Sequence, residues 1–300
     1  MCAPTLAFAI RQKSEISHLQ PGQYIGLTVF PVAARSAELS MPRRAELLGV
    51  ERALDLLVPA VGVVGLTDNH MSRPRLSPLA AIPACLSRGL MPIVHVSCRD
   101  RNRLGQQQQV MGAAALGALG VLVVRGDRGV LPADGGVSVV ETLAAVPEWA
   151  DPGTLVRGVV ANPFAPRARE LRLLERKQKA GIDFIQTQMV FDLDLLDSFL
   201  TDARDVLAPQ VAVFASVGLI RSRRSLDFVL RSLPDCPIPE PLVQRVRSGQ
   251  GVEVSTELAA EIGRRDGLRL HLIPLGGERH APLLSKAFAA ARAVSTEAAG

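Results

Sequence analysis

Polar residues that could bind a ligand or transfer a proton follow the ends of short apolar runs throughout this sequence. They are Thr28, Thr67, Asp68, Asn69, His70, His95, Ser97, Arg125, Asp127, Asn162, Thr187 and Gln188. Any one of them is explained equally well as a soluble loop residue. In a parallel barrel, however, residues at the carboxyl ends of the strands meet at one mouth, which is where such folds carry their chemistry. Their number therefore favours a polar ligand site.

The apolar runs themselves predict the elements that position these residues. Candidate strands are Tyr24–Phe30, Val61–Thr67, Pro92–Ser97, Gly120–Val124, Leu155–Asn162, Asp183–Gln188, Val211–Val217 and Leu268–Leu275. Stretches with helical periodicity separate them, as in parallel βα units. Eight such units predict an α/β fold, a single (β/α)8 TIM barrel over residues 1–300, with a proline-broken helical insertion around 221–267 before the last strand.

Composition narrows the function classes. Of the 300 residues, 48% are hydrophobic, enough for one large core. No apolar run approaches the roughly 20 residues that a membrane span needs, and the apolar stretch near the N-terminus lacks a preceding basic region, so we predict a cytoplasmic protein. Four scattered cysteines without CxxC spacing indicate neither a metal site nor a disulfide framework.

The net charge of +5 comes from dispersed arginines, and the chain has one Trp and one Tyr. Nucleic acid is therefore not an expected partner. The arginines are explained either as solvated helix faces or as an attraction for an anionic small molecule.

Several segments resemble the methylenetetrahydrofolate reductase family. The run Val123–Asp127 resembles its LRGD strand end, and Lys177–Asp192 resembles its K-x-x-A-G-A-D-x-x-x-T-Q-x-x-F-D signature. His95–Cys98 is similar to its H-L-T-C segment, and Gly65–Thr67 to the strand end that precedes it. Order and spacing agree from about residue 24 to residue 220.

The resemblance implies roles for individual residues. Asp127 would lie beside a flavin and tune its potential, and Gln188 would hydrogen-bond the pterin of the folate. The other expected cofactor contacts, for FAD, are Thr67, His95, Arg125, Asn162, Glu170 and Lys177. Phe191 and Leu219 would complete the folate site. A solvated helix face is the competing explanation for Lys177 and Glu170.

Two departures from the family pattern stand out. The family carries a glutamate on its first strand, in a segment like F-E-F-F-P-P, that protonates the folate nitrogen. With Tyr24–Phe30 as the first strand, Thr28 takes that place, and a hydroxyl cannot act as a general acid near neutrality. Asp68 or His70 could supply the proton instead. At strand five, Val160–Phe164 replaces a longer Y-P-E-x-H-P loop, which puts the flavin in question.

The leading hypothesis is a folate-dependent oxidoreductase that interconverts 5,10-methylene- and 5-methyl-tetrahydrofolate with FAD, NAD(P)H being a candidate electron donor. One alternative is folate-dependent methyl or methylene transfer without hydride chemistry. Another is a catalytically silent folate-binding subunit. A homo-oligomer or a partner subunit is the expected assembly.

Overall fold

The computed structural model describes residue 30 and the ranges 34–127 and 137–299. Its strands are β1 (Arg35–Leu39), β2 (Val63–Leu66), β3 (Met91–Ser97), β4 (Gly120–Val124), β5 (Val156–Ala161), β6 (Phe184–Met189), β7 (Ala212–Gly218) and β8 (Leu268–Ile273). All neighbours pair in parallel, and β8 pairs with β1 to close the barrel. The predicted (β/α)8 barrel is confirmed.

Helices cover the barrel from outside. They are α1 (Leu48–Leu57), α2 (Ile82–Leu86), α3 (Arg103–Ala115), α4 (Val139–Trp149), α5 (Arg167–Ala180), α6 (Leu193–Ala203), α7 (Arg223–Ser232), α8 (Glu240–Arg247), α9 (Gly251–Arg264) and α10 (Ala281–Ala299). Three of them, α7 to α9, occupy the interval between β7 and β8. Within the described ranges, no helix is both long and apolar enough to span a membrane.

The first strand differs from the prediction. The segment that pairs with both β2 and β8 is Arg35–Leu39, not Tyr24–Phe30. Except for Phe30, the predicted strand, including Thr28, lies outside the described residues. The true β1 is short and carries Ser36 and Glu38 on its inward face, so it lacks the apolar run by which a buried parallel strand is recognised.

An aromatic layer closes the barrel near the amino ends of its strands. It consists of Phe30, Phe184 and Phe214, whose ring centroids lie 5.1–6.0 Å apart in edge-to-face pairs. Gly158 on β5 makes room for it, because a Cβ there would lie 2.0 Å from the ring of Phe184. The layer is a packed floor, and the cavity at the carboxyl ends of the strands lies above it.

Candidate functional site

A cavity of about 1270 Å³ opens at the carboxyl ends of the strands. Eight residues for which the family resemblance implies a cofactor or folate contact line it, namely Thr67, His95, Arg125, Asp127, Asn162, Glu170, Lys177 and Gln188. The lining also includes Glu38, Asp68, His70 and Gln186. The barrel thus brings together residues from β1 to β6 that are up to 150 positions apart in the chain.

Glu38 provides a carboxyl group at the end of β1. It pairs in register with Gly65 of β2, and its side chain faces the cavity. Burial, reinforced by the negative charge of Asp127, raises the pKa of Glu38 to about 7. At neutral pH a carboxyl group with that pKa is protonated in some molecules and ionised in others. It can therefore donate a proton and take one back, as a general acid must.

A strained loop after β2 holds Asp127. The Met71 amide donates to Asp127 Oδ2 at 2.6 Å, and Ser72 Oγ donates to the Asp127 carbonyl at 2.8 Å. Asn69, Met71 and Ser72 all have positive φ angles, of 42°, 62° and 51°. Left-handed non-glycine residues persist only where surrounding contacts impose them, and they cluster at functional sites.

His70, between these strained residues, also faces the cavity. Burial lowers its pKa, and the charge of Asp127 acts in the opposite direction. The ring thus lies in the electric field of Asp127, and its suggested role as a proton source stays a prediction.

Asp68 is held in the barrel wall by hydrogen bonds. Its carboxylate accepts from Arg101 at 2.8 and 3.2 Å, from Gln109 Nε2 at 3.2 Å and from the Ser97 amide at 3.2 Å. These four hydrogen bonds tie the Asp68 carboxylate to β3, to Arg101 and to α3, and so fix it in the barrel wall. The proton-donating role considered for Asp68 stays a prediction.

A polar layer lies between the cavity and the aromatic layer. It comprises Ser36, His95, Gln186 and His271, each less than 10% exposed. Ser36 Oγ and His271 Nδ1 are 2.8 Å apart, while the Nε2 atoms of both histidines are buried without a protein partner among the described residues. Burial lowers the pKa of each histidine to about 3.

On the opposite side, α5 contributes two buried charged groups. Glu170 Oε1 accepts from the Asn162 amide at 3.0 Å, and Lys177 Nζ donates to the Val160 carbonyl at 2.6 Å. Burial lowers the pKa of Lys177, while the charge of Glu170 raises it. Both residues are buried, so the solvated-face explanation is wrong.

Gln188 ends β6 at the cavity wall. Its Oε1 accepts from the Met189 amide at 3.0 Å, which orients the carboxamide and leaves its NH₂ group as a donor. Next to it, Thr187 is engaged within the barrel wall, since its Oγ1 accepts from the Ser216 amide at 3.0 Å.

Two predicted folate contacts lie elsewhere. Phe191, 3% exposed, borders a separate cavity of about 530 Å³ between the start of α6 and helices α8 and α9. Leu219 is 2% exposed and follows β7, where its amide donates to the Ile273 carbonyl. Neither residue lines the large cavity.

An arginine rim surrounds part of the mouth. It consists of Arg99, Arg125, Arg169, Arg172 and Arg176, which all line the cavity. Arg99 and Arg125 are neighbours on adjacent strand ends, joined by a 3.0 Å backbone hydrogen bond. None of the five guanidinium groups forms an ion pair with another described residue. The rim therefore suits an anionic ligand.

Sequence reasoning missed Glu38 because it chose the more apolar segment as β1. A usable signal was present: Pro42 follows Glu38 by four residues, the spacing between the glutamate and the second proline of the F-E-F-F-P-P segment. The register of β1 thus places a carboxyl group at the position that the family pattern gives to its glutamate, which the sequence analysis assigned to Thr28.

Comparison with known proteins agrees with this geometry. The family model described as methylenetetrahydrofolate reductase matches residues 36–284. No curated protein matches the sequence significantly. An uncharacterized protein from Clostridium thermocellum, described as binding two copies of 5-methyl-5,6,7,8-tetrahydrofolic acid, superposes with a TM-score of 0.63 at 13% identity, covering 94% of this chain and 99% of its own.

More distant functions share the architecture. Dihydrodipicolinate synthase from Agrobacterium tumefaciens gives a TM-score of 0.55 at 17% identity, covering 89% of this chain and 80% of its own. A tryptophan synthase chain from M. tuberculosis gives 0.54 at 14% identity, covering 96% and 99%. At these identities the likeness shows the barrel alone, and function must be argued from the site.

Proposed function

The chain belongs to the methylenetetrahydrofolate reductase family, and on that premise we propose that it is a flavin-dependent enzyme interconverting 5,10-methylene- and 5-methyl-tetrahydrofolate. The observation that carries the proposal is the pKa of about 7 for Glu38, in a cavity shared with Asp127 and Gln188. The methyl-tetrahydrofolate bound by the similar clostridial barrel supports the folate part.

The residues present fit a flavin. Leu122, Val124 and Val160 give the cavity an apolar wall suited to a ring system. Gly126 has a φ of +86°, and a Cβ there would lie 2.3 Å from Ser97 Oγ, so this turn has no room for a side chain. The arginine rim and Lys177 offer donors to phosphate groups. When bound, the flavin supplies the hydride-transfer chemistry.

Glu38 acts as the general acid. In the reductive direction its proton goes to the folate nitrogen that leaves the methylene carbon as the five-membered ring opens, and the carboxylate takes a proton back from solvent. In the oxidative direction the carboxylate removes that proton as the ring closes. Asp127 assists by holding the pKa of Glu38 high, because two nearby carboxylates resist being ionised together.

Gln188 positions the substrate. Its carboxamide is held by the Met189 amide, and its free NH₂ donates to an acceptor on the pterin edge. The arginine rim attracts the carboxylates of the folate tail. Binding thus uses β6 and α5, whereas the acid comes from β1.

The finer assignments extend this proposal. NAD(P)H would reduce the flavin, and the protein would act in the cytoplasm, as a homo-oligomer or with a partner subunit. The carboxyl group of Glu38 on β1 weakens the argument for the two alternative functions that came from a missing acid. The altered loop at the end of β5, Val160–Phe164, remains the argument for a catalytically silent subunit.

The test is the visible absorption spectrum of the purified protein with FAD, followed by anaerobic addition of 5-methyl-tetrahydrofolate. We expect bound flavin that bleaches in the wild type. In Glu38→Gln we expect the flavin to remain bound but to bleach about 10²- to 10⁴-fold more slowly. A protein that takes up no flavin would refute the redox proposal, and equal bleaching rates would refute the role of Glu38.

A further inference from the structure

We infer that His95 is a positioning residue for Glu38: its Nε2 accepts a hydrogen bond from the protonated carboxyl group through one water and so stabilises the protonated form of the acid. The inference rests on the proposed function for its catalytic meaning. It differs from the role that the family resemblance implies for His95, which is contact with the cofactor.

The geometry of β2 brings His95 toward β1. Gly65 is paired with Glu38, and a Cβ on Gly65 would lie 2.9 Å from His95 Nε2 and 3.9 Å from the Ala37 carbonyl oxygen. The edge of the imidazole therefore passes over Gly65, between β3 and β1. A glycine inside a strand is unfavourable unless something must approach closely, and here it is the His95 ring.

Ser36 and His271 are less suited than His95 to accept this hydrogen bond. Ser36, two positions earlier on the same inward face of β1, is already engaged with His271 Nδ1 at 2.8 Å. His95 lines the cavity beside Glu38, whereas His271 does not. His95 Nε2 is buried and has no described protein partner, and a buried polar atom normally has one.

A neutral His95 ring can accept a hydrogen bond from the protonated carboxyl group of Glu38 through one water. Burial lowers its pKa to about 3, so the ring is neutral wherever the enzyme would work. Placing the shared proton on His95 would create a buried ion pair, whereas leaving it on Glu38 keeps both groups neutral. A hydrogen bond made only by the protonated form of an acid stabilises that form.

Other ionisable groups share the cavity with Glu38. Those lining the same cavity are Asp68, His70, Arg99, Arg125, Asp127, Arg169, Glu170, Arg172, Arg176 and Lys177, with His271 below. Asp127 also raises the pKa of Glu38. The test must therefore change the acceptor and leave these charges in place.

The experiment is a ¹³C NMR titration of the side-chain carboxyl groups in glutamate-labelled protein as purified, with Glu38→Gln identifying the Glu38 signal. We expect His95→Leu to lower the apparent pKa of Glu38 by roughly one unit, the equivalent of one hydrogen bond. Leucine keeps the site apolar, so a decrease cannot come from improved solvation. His95→Gln, whose carboxamide oxygen can accept the same bond, should keep the pKa higher than His95→Leu does.

Gly65→Ala gives an independent test that leaves the imidazole in place. The added methyl group must displace His95, so the pKa of Glu38 should again decrease. Gly62→Ala is the matched control, because a Cβ there meets nothing within 4 Å, and it should leave the titration unchanged.

An unchanged Glu38 titration in His95→Leu or in Gly65→Ala would overturn the inference. The measurement needs neither folate nor flavin. A protein that fails the flavin test but shows these shifts would refute the reductase proposal alone, and the reverse pattern would refute the role of His95 alone.

Discussion

The aromatic layer and the polar layer both lie inside the barrel, but they differ in whether their side chains have contact partners. Phe30, Phe184 and Phe214 pack against one another edge to face. Higher along the strands, His95 and His271 each have one buried ring nitrogen that no described residue contacts by a hydrogen bond. Inward positions near the amino ends pack against one another, whereas those toward the carboxyl ends carry polar and titratable side chains.

The difference shows how one barrel separates stability from function. On β6, Phe184 and Gln186 both point inward, two residues apart. The first belongs to the floor and the second to the polar layer. Substitutions in the two layers should therefore change different quantities.

The largest effect is expected in the chemistry above the polar layer. Glu38→Gln should lower kcat for folate oxidation by about 10²- to 10⁴-fold, because the carboxamide cannot exchange the proton. Asp68→Asn is the contrasting variant, since its loss should act mainly on stability through the Arg101 network. Steady-state kinetics and urea unfolding of both variants would test the separation, and a Glu38→Gln enzyme with full kcat would contradict it.

The aromatic layer should show the opposite behaviour. Phe184→Ala should lower the free energy of unfolding by about 3–5 kcal/mol, because it leaves a cavity among three rings. Activity per folded molecule should stay close to that of the wild type. Phe228→Ala, on the half-buried face of α7, is the control and should cost less. Equal losses of stability would mean that the layer is not the tightly packed floor described above.

Stability should also depend on pH through Glu38. Its folded pKa of about 7 exceeds the unfolded value of 4.5, so the folded state binds more protons between these values and wild-type stability falls as pH rises from 4.5 to 7. Glu38→Gln lacks this loss and should be more stable than the wild type at pH 8, by at most about 3 kcal/mol. Denaturant unfolding at pH 4.5 and pH 8 would test it. The same difference between the proteins at both pH values would be evidence against the raised pKa.

The smallest effect is expected in the strained loop after β2. Met71 has a φ of +62°, so Met71→Gly should be more stable than Met71→Ala by about 1 kcal/mol. The reverse order is expected at Met111, an exposed position on α3, where glycine is worse than alanine by a similar amount. Thermal unfolding of the four variants would compare the two positions. If the alanine variant had the higher unfolding temperature at both positions, the loop would not be strained.

The sequence predicted most of the fold because the seven strands after β1 are rich in apolar residues, even where single polar residues interrupt them. Gly120–Val124 was predicted with its observed bounds, and the other six strands of that group within a few residues. It failed at β1, where the inward residues are Ser36 and Glu38 and where function replaces the pattern that identifies a strand. Because of this error, the sequence analysis aligned Thr28, rather than Glu38, with the glutamate of the family pattern.

Most of the cavity residues were predictable from the strand ends and the family signature. The loop contacts of Asp127 were not, because they depend on the left-handed conformation of Met71 and Ser72. The position of Phe191 was not predictable either, because its side chain lies toward the cavity beside the inserted helices α8 and α9. Such details depend on tertiary contacts rather than on local pattern.

The arginine rim also affects how quickly an anionic ligand reaches the barrel. Five guanidinium groups without described acidic partners create a positive potential at the mouth, which raises the local concentration of anions and accelerates their encounter. At physiological ionic strength this attraction extends only about 8 Å into solvent. Association rates should therefore fall with added salt much more than dissociation rates rise, so that the capture of ligand would vary with the ionic environment while residence in the pocket would not.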